Sequence, residues 1–580
     1  MGILRIVFLL LAITVNSYAT DWFVSQSGSG AANGTSSENA WAKTGVVWNS
    51  IQPGDTLYIV GPIYSNNWES GKSGSESSYI TIAGYDSNSG IVMTAQHVNT
   101  GFSEPDEYGV YSISTAPYTE VDSQAKGATE WVTAEGPFGW SKLTLETTLP
   151  DETWAAGSYF IAEGVFYWKP FGGSISNKTI SICYNWSYHI KHEWVKYYNL
   201  KFFGGRVFCG HQGTGSENVW LDNVTVDGLG SGILINIYSD YFRLSNSSVY
   251  HGNSGLWSGL CVANNVTIDR NRFYDFTEVG GDAHCIGTYG AVNNWVVEFN
   301  DLSYANTGLT FWAYPEEPLC LSNNNIIRHN YIHNMEGSRG DGRGYGIGWE
   351  SNISDPSRRT GNAVYGNLIK DCTGFGINLH FVSPLNYIFN NTIINCDVSI
   401  KSSTNGTGVS MGGEVKNNIS ISPIKYHIEI GNAGEGTYSD LAFNNNIYYP
   451  DGAAAFYSVS IGSPYTTNFA GWKTHLGTLG LTAADANSVV TDPDPNTNGT
   501  LKTTSTNAIN TGANLGEAYK YALMSQSVWP SAVVLADQNG HGAGWEIGAF
   551  LWQESWAFSI GVGTQTFTPA TLGPHTLTLQ

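Results

Sequence analysis

Apolar and polar residues alternate in short bursts along the chain, and one burst recurs. Ile268-x-x-Asn271-x-Phe273 is followed by Val297-x-x-Asn300-x-Leu302, Ile327-x-x-Asn330-x-Ile332, Val364-x-x-Asn367-x-Ile369 and Ile388-x-x-Asn391-x-Ile393. Val415-x-x-Asn418 and Ala442-x-x-Asn445-x-Ile447 are weaker copies. Leu221-x-x-Val224-x-Val226 and Leu244-x-x-Ser247-x-Val249 keep the frame without the Asn. Alternation is the period of a strand. The pitch, 23 residues from Val224 to Ser247 and 37 from Asn330 to Asn367, holds about three short strands with their turns. No long stretch shows apolar residues at helical spacing. Fixed-pitch repetition predicts a solenoid with one rung per repeat and parallel pairing between rungs. Asn suits the repeated corner because it tolerates unusual backbone angles and its amide can bond to the next copy.

The same ruler aligns the next strand of each rung. Ile286, Leu309, Ile347, Ile377 and Ile400 begin equivalent segments, 9 or 10 residues after the Asn in three rungs. The offset grows to 15 after Asn271 and 17 after Asn330, which exposes insertions at 277–282 and 336–343. Further excess lies at 315–318 and 351–360. Long loops on a regular scaffold are where binding and catalysis concentrate. With the five aliphatic residues inward, alternation predicts an outward column of Tyr289, Trp312, Glu350 and His380. Gly287, Thr310, Gly348 and Asn378 precede it, and Cys285, Gly308, Gly346 and Gly376 are expected to complete a small-residue floor. A slip of one residue would reverse the column. An inward Glu350 would be costly, which favours this register despite the bulk of an inward Trp349.

The repeats resemble the right-handed parallel β-helix proteins of the pectin lyase-like superfamily over roughly residues 20–550. Trp22-Phe23-Val24-Ser25, Gly34-Thr35-Ser36 and Gly54-Asp55-Thr56-Leu57 resemble an opening coil of that fold, and Gly544-Trp545-Glu546-Ile547-Gly548-Ala549-Phe550 an ending. The resemblance implies an all-β solenoid. It does not select an activity, since the superfamily holds lyases, glycoside hydrolases, epimerases and binders. The polygalacturonase set (Asn-Thr-Asp, Asp-Asp, Gly-His-Gly, Arg-Ile-Lys) is absent as a set, and Gly540-His541-Gly542 stands without its partners.

Composition narrows the partners. A solenoid grows by adding coils, so 580 residues are read as one long domain. The formal net charge of −22 disfavours nucleic acid and works against long-range attraction of a polyanion. Arg5, the apolar run 6–15 and Ser17-Tyr18-Ala19 read as a signal peptide over 1–19, hence an exported protein, with no later membrane-spanning segment. Seven cysteines form no zinc spacing. Cys372 and Cys396 stack one rung apart in an inward column with Phe276 and Met335, as buried thiols or as a disulfide. Residues 101–180 break the repeat and predict a small β-rich insertion. The tail 551–580 has no assignment.

The candidate chemistry is carbohydrate chemistry. Tyr289 and Trp312 can stack on sugar rings, and Asn378, Arg343 and His284 can bond hydroxyls or a carboxylate. Glycoside hydrolysis needs two carboxyl groups, for which Glu350 is the first choice and Asp282 and Asp341 the partners from the rim loops. Arg339 and Arg343 either bind a substrate carboxylate or pair with Asp341 and Glu336. A lyase or epimerase acting on uronates would instead use a base and a cation, from His380, Tyr289, Arg343 and Lys401. No cofactor is expected. Ca²⁺ at Glu316 and Glu317 has no motif behind it. Low Lys/Arg content and acidic rim loops rank the hydrolase first, the lyase second and a non-catalytic glycan-binding surface protein third.

Overall fold

The computed structural model describes residues 19–567 except 65–70, 87–89, 94, 99–101, 109, 115–126, 133–139, 143, 146–155, 157, 163–164, 171–177, 184–186, 211–215, 260–262, 279–280, 291, 314–320, 352–358, 381–382, 405–411, 433–439, 461–462, 482–484, 553–555 and 561–562. The expected signal peptide, the loop at 315–318 and the Glu316–Glu317 pair therefore lie outside the described residues, apart from Ala19.

The chain winds as a right-handed parallel β-helix. Each coil contributes three strands. The first face includes Thr267–Asp269, Val296–Glu298, Ile326–Arg328, Ala363–Tyr365 and Tyr387–Phe389, each parallel to the next. It belongs to a 14-stranded sheet that begins at Trp41–Ala42 and Asp21–Ser25 and ends at Asp440–Asn444. The second face stacks Arg272–Phe276, Asp301–Ala305, Tyr331–Met335, Leu368–Cys372, Thr392–Ile394, Ile419–Ile421 and Ile447–Tyr449. The third stacks the end of Ser248–Ser258 on His284–Tyr289, Thr307–Ala313, Tyr345–Ser351, Phe375–Leu379, Val398–Thr404, Tyr426–Asn432 and Phe456–Ser460.

The Asn column lies between the first and second faces. Oδ1 of Asn300, Asn330, Asn367, Asn391 and Asn418 accepts from both the backbone N–H and the amide of the Asn one coil earlier, at 2.9–3.1 Å. Each amide also donates to the carbonyl of the Ile, Val or Leu in the preceding frame, as Asn330 does to Val297 at 2.9 Å. These residues are buried, so the bonds replace water that cannot enter. Ser247 and Ser488 close the two ends of the column with hydroxyls. Two details differ from the sequence reading. The last rung is carried by Asn446 rather than Asn445, because Asn418 bonds to Asn446 at 2.9 and 3.1 Å. The left-handed backbone falls on the residue before each ladder Asn, among them Arg270, Phe299, His329, Gly366 and Asn390. The amide bonding, not tolerance of unusual angles, is what fixes Asn at the corner. A second Asn column, Asn325–Asn362–Asn386, runs between the third and first faces.

Ile268, Val297, Ile327, Val364 and Ile388 fill the core with no exposed surface, and Ile286, Leu309, Ile347 and Ile377 do so from the third face. Burial stabilises by about 1.5–3 kcal/mol per aliphatic side chain. Cys372 and Cys396 lie in the predicted column as free, buried thiols. The neighbouring Cys396 and burial push the Cys372 thiol far above its ordinary range.

Two small, mostly antiparallel four-stranded sheets interrupt an early coil between Ile91–Met93 and Ser187–Ile190. The coils stop at Phe456–Ser460, short of residue 550. An α-helix, Phe469–Thr478, lays Phe469, Trp472 and Leu476 over the end of the core. The chain then returns along the second face as an irregular strap. Gly548 N–H donates to the Asn417 carbonyl (2.7 Å) and Ala549 N–H to Thr392 Oγ1 (2.9 Å). The Gly544–Phe550 phrase is thus part of this strap and not a final coil. The tail beyond it includes one hairpin, Trp556–Ile560 with Gly563–Phe567.

Candidate functional site

The third face carries the register that the ladder predicted. Ile286, Leu309, Ile347, Ile377 and Ile400 pair in sequence, and Tyr289, Trp312 and Glu350 occupy one column beside them. Trp349 points inward, against Phe311 with ring centroids 4.4 Å apart, and donates its indole N–H to Ser322 Oγ at 2.9 Å. The core accommodates its bulk, and the N–H has a partner.

The floor differs from expectation. Cys285, Gly308, Gly346 and Gly376 face the core, not the solvent. Cys285 is fully buried, with Sγ near the Phe273 and Ser303 carbonyls. A Cβ on Gly346 would lie 2.8 Å from Ile369 Cγ2, and one on Gly376 2.7 Å from Ile393 Cγ2. Two consecutive residues therefore turn inward where the second face bends into the third, and strict alternation fails there. The position before them turns outward instead, which brings out His284 and Thr307.

A pocket of 220 Å³ opens on this face, lined by Trp257, Asp282, His284, Tyr289, Thr310, Trp312 and Arg343. Its walls are aromatic. Trp257 stacks on His284 at 5.5 Å and faces Tyr289 at 6.0 Å, and the Arg343 guanidinium lies 5.2 Å from the Trp312 ring. Its charged groups come from the two inserted loops, which bind each other. The Arg339 carbonyl accepts from Glu278 N–H (2.8 Å) and Thr277 Oγ1 (3.2 Å). Arg339 itself is used structurally, paired with Asp275 at 3.0 Å and Glu336 at 3.3 Å.

Arg343 Nη1 touches Asp282 Oδ1 at 2.9 Å and Asp341 Oδ2 at 3.1 Å. Both contacts end on one nitrogen, so these carboxylate oxygens are no farther apart than the two distances combined, about 6 Å. Asp341 is further held by Asn306 Nδ2 at 2.6 Å, and Asn306 Oδ1 accepts from Gly344 N–H at 3.2 Å, which fastens the loop on both sides of Arg343. The Asp282 side chain is half exposed, against about a quarter for Asp341.

His284 is buried. Burial, helped by the Arg343 charge, pulls its pKa down to about 3, while Asp341 opposes the shift. The ring is neutral near neutral pH, and Nδ1 pairs with Thr307 Oγ1. Nε2 lies 3.7 Å from Asp282 Oδ1, so the imidazole backs that carboxylate without an ion pair. Ser254 Oγ donates to the Asp282 carbonyl (2.5 Å) and accepts from His284 N–H (3.1 Å), fixing the backbone between them.

The other candidates stand apart from the pocket lining. His380 follows the end of its strand and is buried, with its carbonyl accepting from Arg359 at 3.0 Å. Burial removes it from the open column that alternation gave it. Asn378 is buried beside Gly348 and Lys401. Lys401 pairs with Glu429 at 2.9 Å and lies over Phe375. The Glu350 side chain lies outside the described residues, as does 352–358. Trp257, Asn306, Thr307 and Ser254 were missed by the sequence reading. Trp257 pairs with Gly287 from a rung whose ladder residue is Ser247, so the Asn ruler stopped one coil short of it.

The fold is that of a parallel β-helix. No protein-family model matches the sequence, and no curated protein does. Solved structures of similar fold include the complex of XylC with xylose (TM-score 0.47, 10% identity, covering 69% of this chain and 75% of that one). Pectate lyase Pel9A is similar at TM-score 0.43 and 13% identity over 92% and 96% of the two chains. GH136 lacto-N-biosidase from Eubacterium ramulus is similar at TM-score 0.32 and 12% identity over 81% and 67%. At these identities the likeness is one of fold. No helix among the described residues is long and apolar enough to cross a membrane.

Proposed function

We propose that the protein is an exported carbohydrate-active enzyme that hydrolyses glycosidic bonds in the pocket at Asp282 and Asp341. The carrying observation is the convergence of two carboxylates on Arg343 Nη1, with Asp282 and Arg343 lining an aromatic-walled pocket and Asp341 held just behind Arg343. Tyr289, Trp312 and Trp257 supply ring faces for stacking. Asp341, held by Asn306 and Arg343, is the positioned carboxylate that faces the sugar carbon as charge develops there. Asp282, half exposed, is the group that exchanges a proton with the leaving oxygen. A separation of about 6 Å or less suits the closely spaced pair of a retaining hydrolase, roughly 5–5.5 Å. Neutral His284 positions Asp282 and is not the acid.

The uronate lyase or epimerase reading has less support. It needs an unspent cation, whereas Arg343 is balanced by two carboxylates and Lys401 by Glu429. His380, the candidate base, is buried. A purely glycan-binding role would not require the paired carboxylates.

The test is a polysaccharide panel read both by reducing ends and by ultraviolet absorbance of an unsaturated uronate. Hydrolysis predicts reducing ends without that absorbance, and a fall of about 10²–10⁴-fold in Asp282→Asn and in Asp341→Asn. Absorbance in the wild-type digest would overturn the reading.

A further inference from the structure

The return strap covers the second face unevenly. Outside that face, Arg272, Asp301, Tyr331, Leu368, Thr392 and Ile419 stack in register in one column. Tyr250, Tyr274, Ser303, His333, Lys370 and Ile394 form the other. Both columns change character at the Tyr331 coil. On one side the face is apolar and the strap packs on it, with Phe550 and Leu523 against Leu368 and Ile547 against Ile419. On the other side it is aromatic and charged. Tyr331 stacks on His333 at 4.1 Å, and Tyr250 on Tyr274 at 4.8 Å.

The strap's edge is fixed at this boundary. Trp529 lies 5.5 Å from the Tyr331 ring and donates its indole N–H to the His329 carbonyl at 2.8 Å. Between strap and face is a cavity of 290 Å³, whose walls include Tyr331, Trp529, Asn498, Thr500, Ser525 and Asp301. Two rings thus form an apolar wall, and hydroxyl and amide groups surround it. Among the described residues the Tyr331 and Ser525 hydroxyls have no partner to lose on binding, and Asn498 uses its Oδ1 on Thr500 while its amide N–H groups face a ligand. Burial, with the Asp301 charge, pushes the Tyr331 hydroxyl up to about 12, so it stays a donor. Asp301 lies 3.0 Å from His333 Nε2 and pairs with Arg272 at 3.4 Å.

Ring faces edged by neutral donors and acceptors fit a sugar. The wall's carboxylate opposes a polyanion. We infer that this cavity is a second carbohydrate-binding site, for a neutral sugar ring of a glycan chain, on a different face from the pocket at Asp282 and Asp341. It does not depend on the reaction proposed there, because it would hold substrate without transforming it.

Affinity electrophoresis of the full chain in native gels containing xyloglucan, galactomannan or mixed-linkage β-glucan tests this, with polygalacturonate as the anionic control. At least one neutral polymer should retard the protein. Trp312→Ala, which alters only the first pocket, should leave part of that retardation. Tyr331→Ala added to Trp312→Ala should abolish it, and Tyr331→Ala alone should weaken binding by about tenfold, the loss expected of one stacking ring. Should Tyr331→Ala disturb folding, Ser525→Ala and Asn498→Ala, both on the strap surface, should each weaken retardation at unchanged melting temperature. Retardation by polygalacturonate alone, by no polymer, or unchanged in Tyr331→Ala, Ser525→Ala and Asn498→Ala would overturn the inference.

Discussion

Removing Arg343 tests the electrostatic core of the proposed site. Arg343 Nη1 bridges Asp282 and Asp341, whose contacting oxygens lie within about 6 Å of each other. With the guanidinium in place the repulsion between them is offset. Without it, two like charges at about 6 Å repel by about 2.8 kcal/mol at an effective dielectric constant of ~20. Half the Asp282 side chain is exposed, so solvent screening reduces this to about 1–1.5 kcal/mol. That is the penalty for holding the pair at its bridged separation, and about 1.4 kcal/mol is tenfold in rate. Arg343→Ala should therefore lower kcat/KM by about tenfold, and Arg343→Lys, which keeps the charge, by much less. The assay is kcat/KM on the polysaccharide that the wild type cleaves. An unchanged kcat/KM in Arg343→Ala would refute the bridge as the link between the two carboxylates.

Further expectations concern the scaffold. Asn330→Ala would strip partners from the Asn300 N–H and the Val297 carbonyl inside the core. At about 1–3 kcal/mol for each orphaned group, unfolding by denaturant should come at clearly lower concentration, by about 3–5 kcal/mol. The exposed contact of Thr35 Oγ1 with Asn33 Oδ1 serves as control, and Thr35→Ala should change stability by under about 0.5 kcal/mol. Equal effects of the two substitutions would contradict the ladder's role. Stability should also peak near pH 6.5. Burial pulls His284 and His329 down to about 3 and His427 to about 4, so below 6.5 the unfolded chain takes up protons that the folded chain refuses, and stability falls as pH drops. Burial raises Glu546 to about 8, so between 4.5 and 8 the unfolded chain releases a proton that the folded chain keeps, and stability falls as pH rises. These histidines outweigh the glutamate below 6.5, and above it the glutamate's loss prevails. Melting temperatures across pH 4.5–9 should show the peak, with the alkaline decline flattened in Glu546→Gln. A steady rise or fall through pH 6.5 would contradict it.

The ladder was readable because each Asn is locked to an aliphatic residue at fixed spacing, and both contribute to the same hydrogen bond. It failed at Asn445, where Asn444, Asn445 and Asn446 are adjacent and spacing alone cannot choose among them. Alternation gave the register that sets Tyr289, Trp312 and Glu350 side by side, because those positions follow the inward Ile286, Leu309 and Ile347 within regular strand. It misplaced Cys285, Gly308, Gly346 and Gly376, since the bend between two faces turns consecutive residues inward. The glycines there reflect the lack of core space beside Ile369 and Ile393. Loop arithmetic located 277–282 and 336–343, and these loops do bring Asp282, Asp341 and Arg343 together. It could not show that Asn306 anchors the second loop, because that contact spans a neighbouring coil. The return strap carries no repeat, so its phrase Gly544–Phe550 read like another coil when it is packing on the outside of earlier ones.

The central claim is that Asp282 and Asp341 together cleave a glycosidic bond. The most direct measurement is product analysis of wild type, Asp282→Asn, Asp341→Asn and the double variant on the polysaccharide panel. Wild type should give new reducing ends with no unsaturated uronate. Each single variant should lose about 10²–10⁴-fold, and the double variant little more than the worse single one, since the residues act as a unit. Full activity in either single variant, or an unsaturated product from wild type, would contradict it.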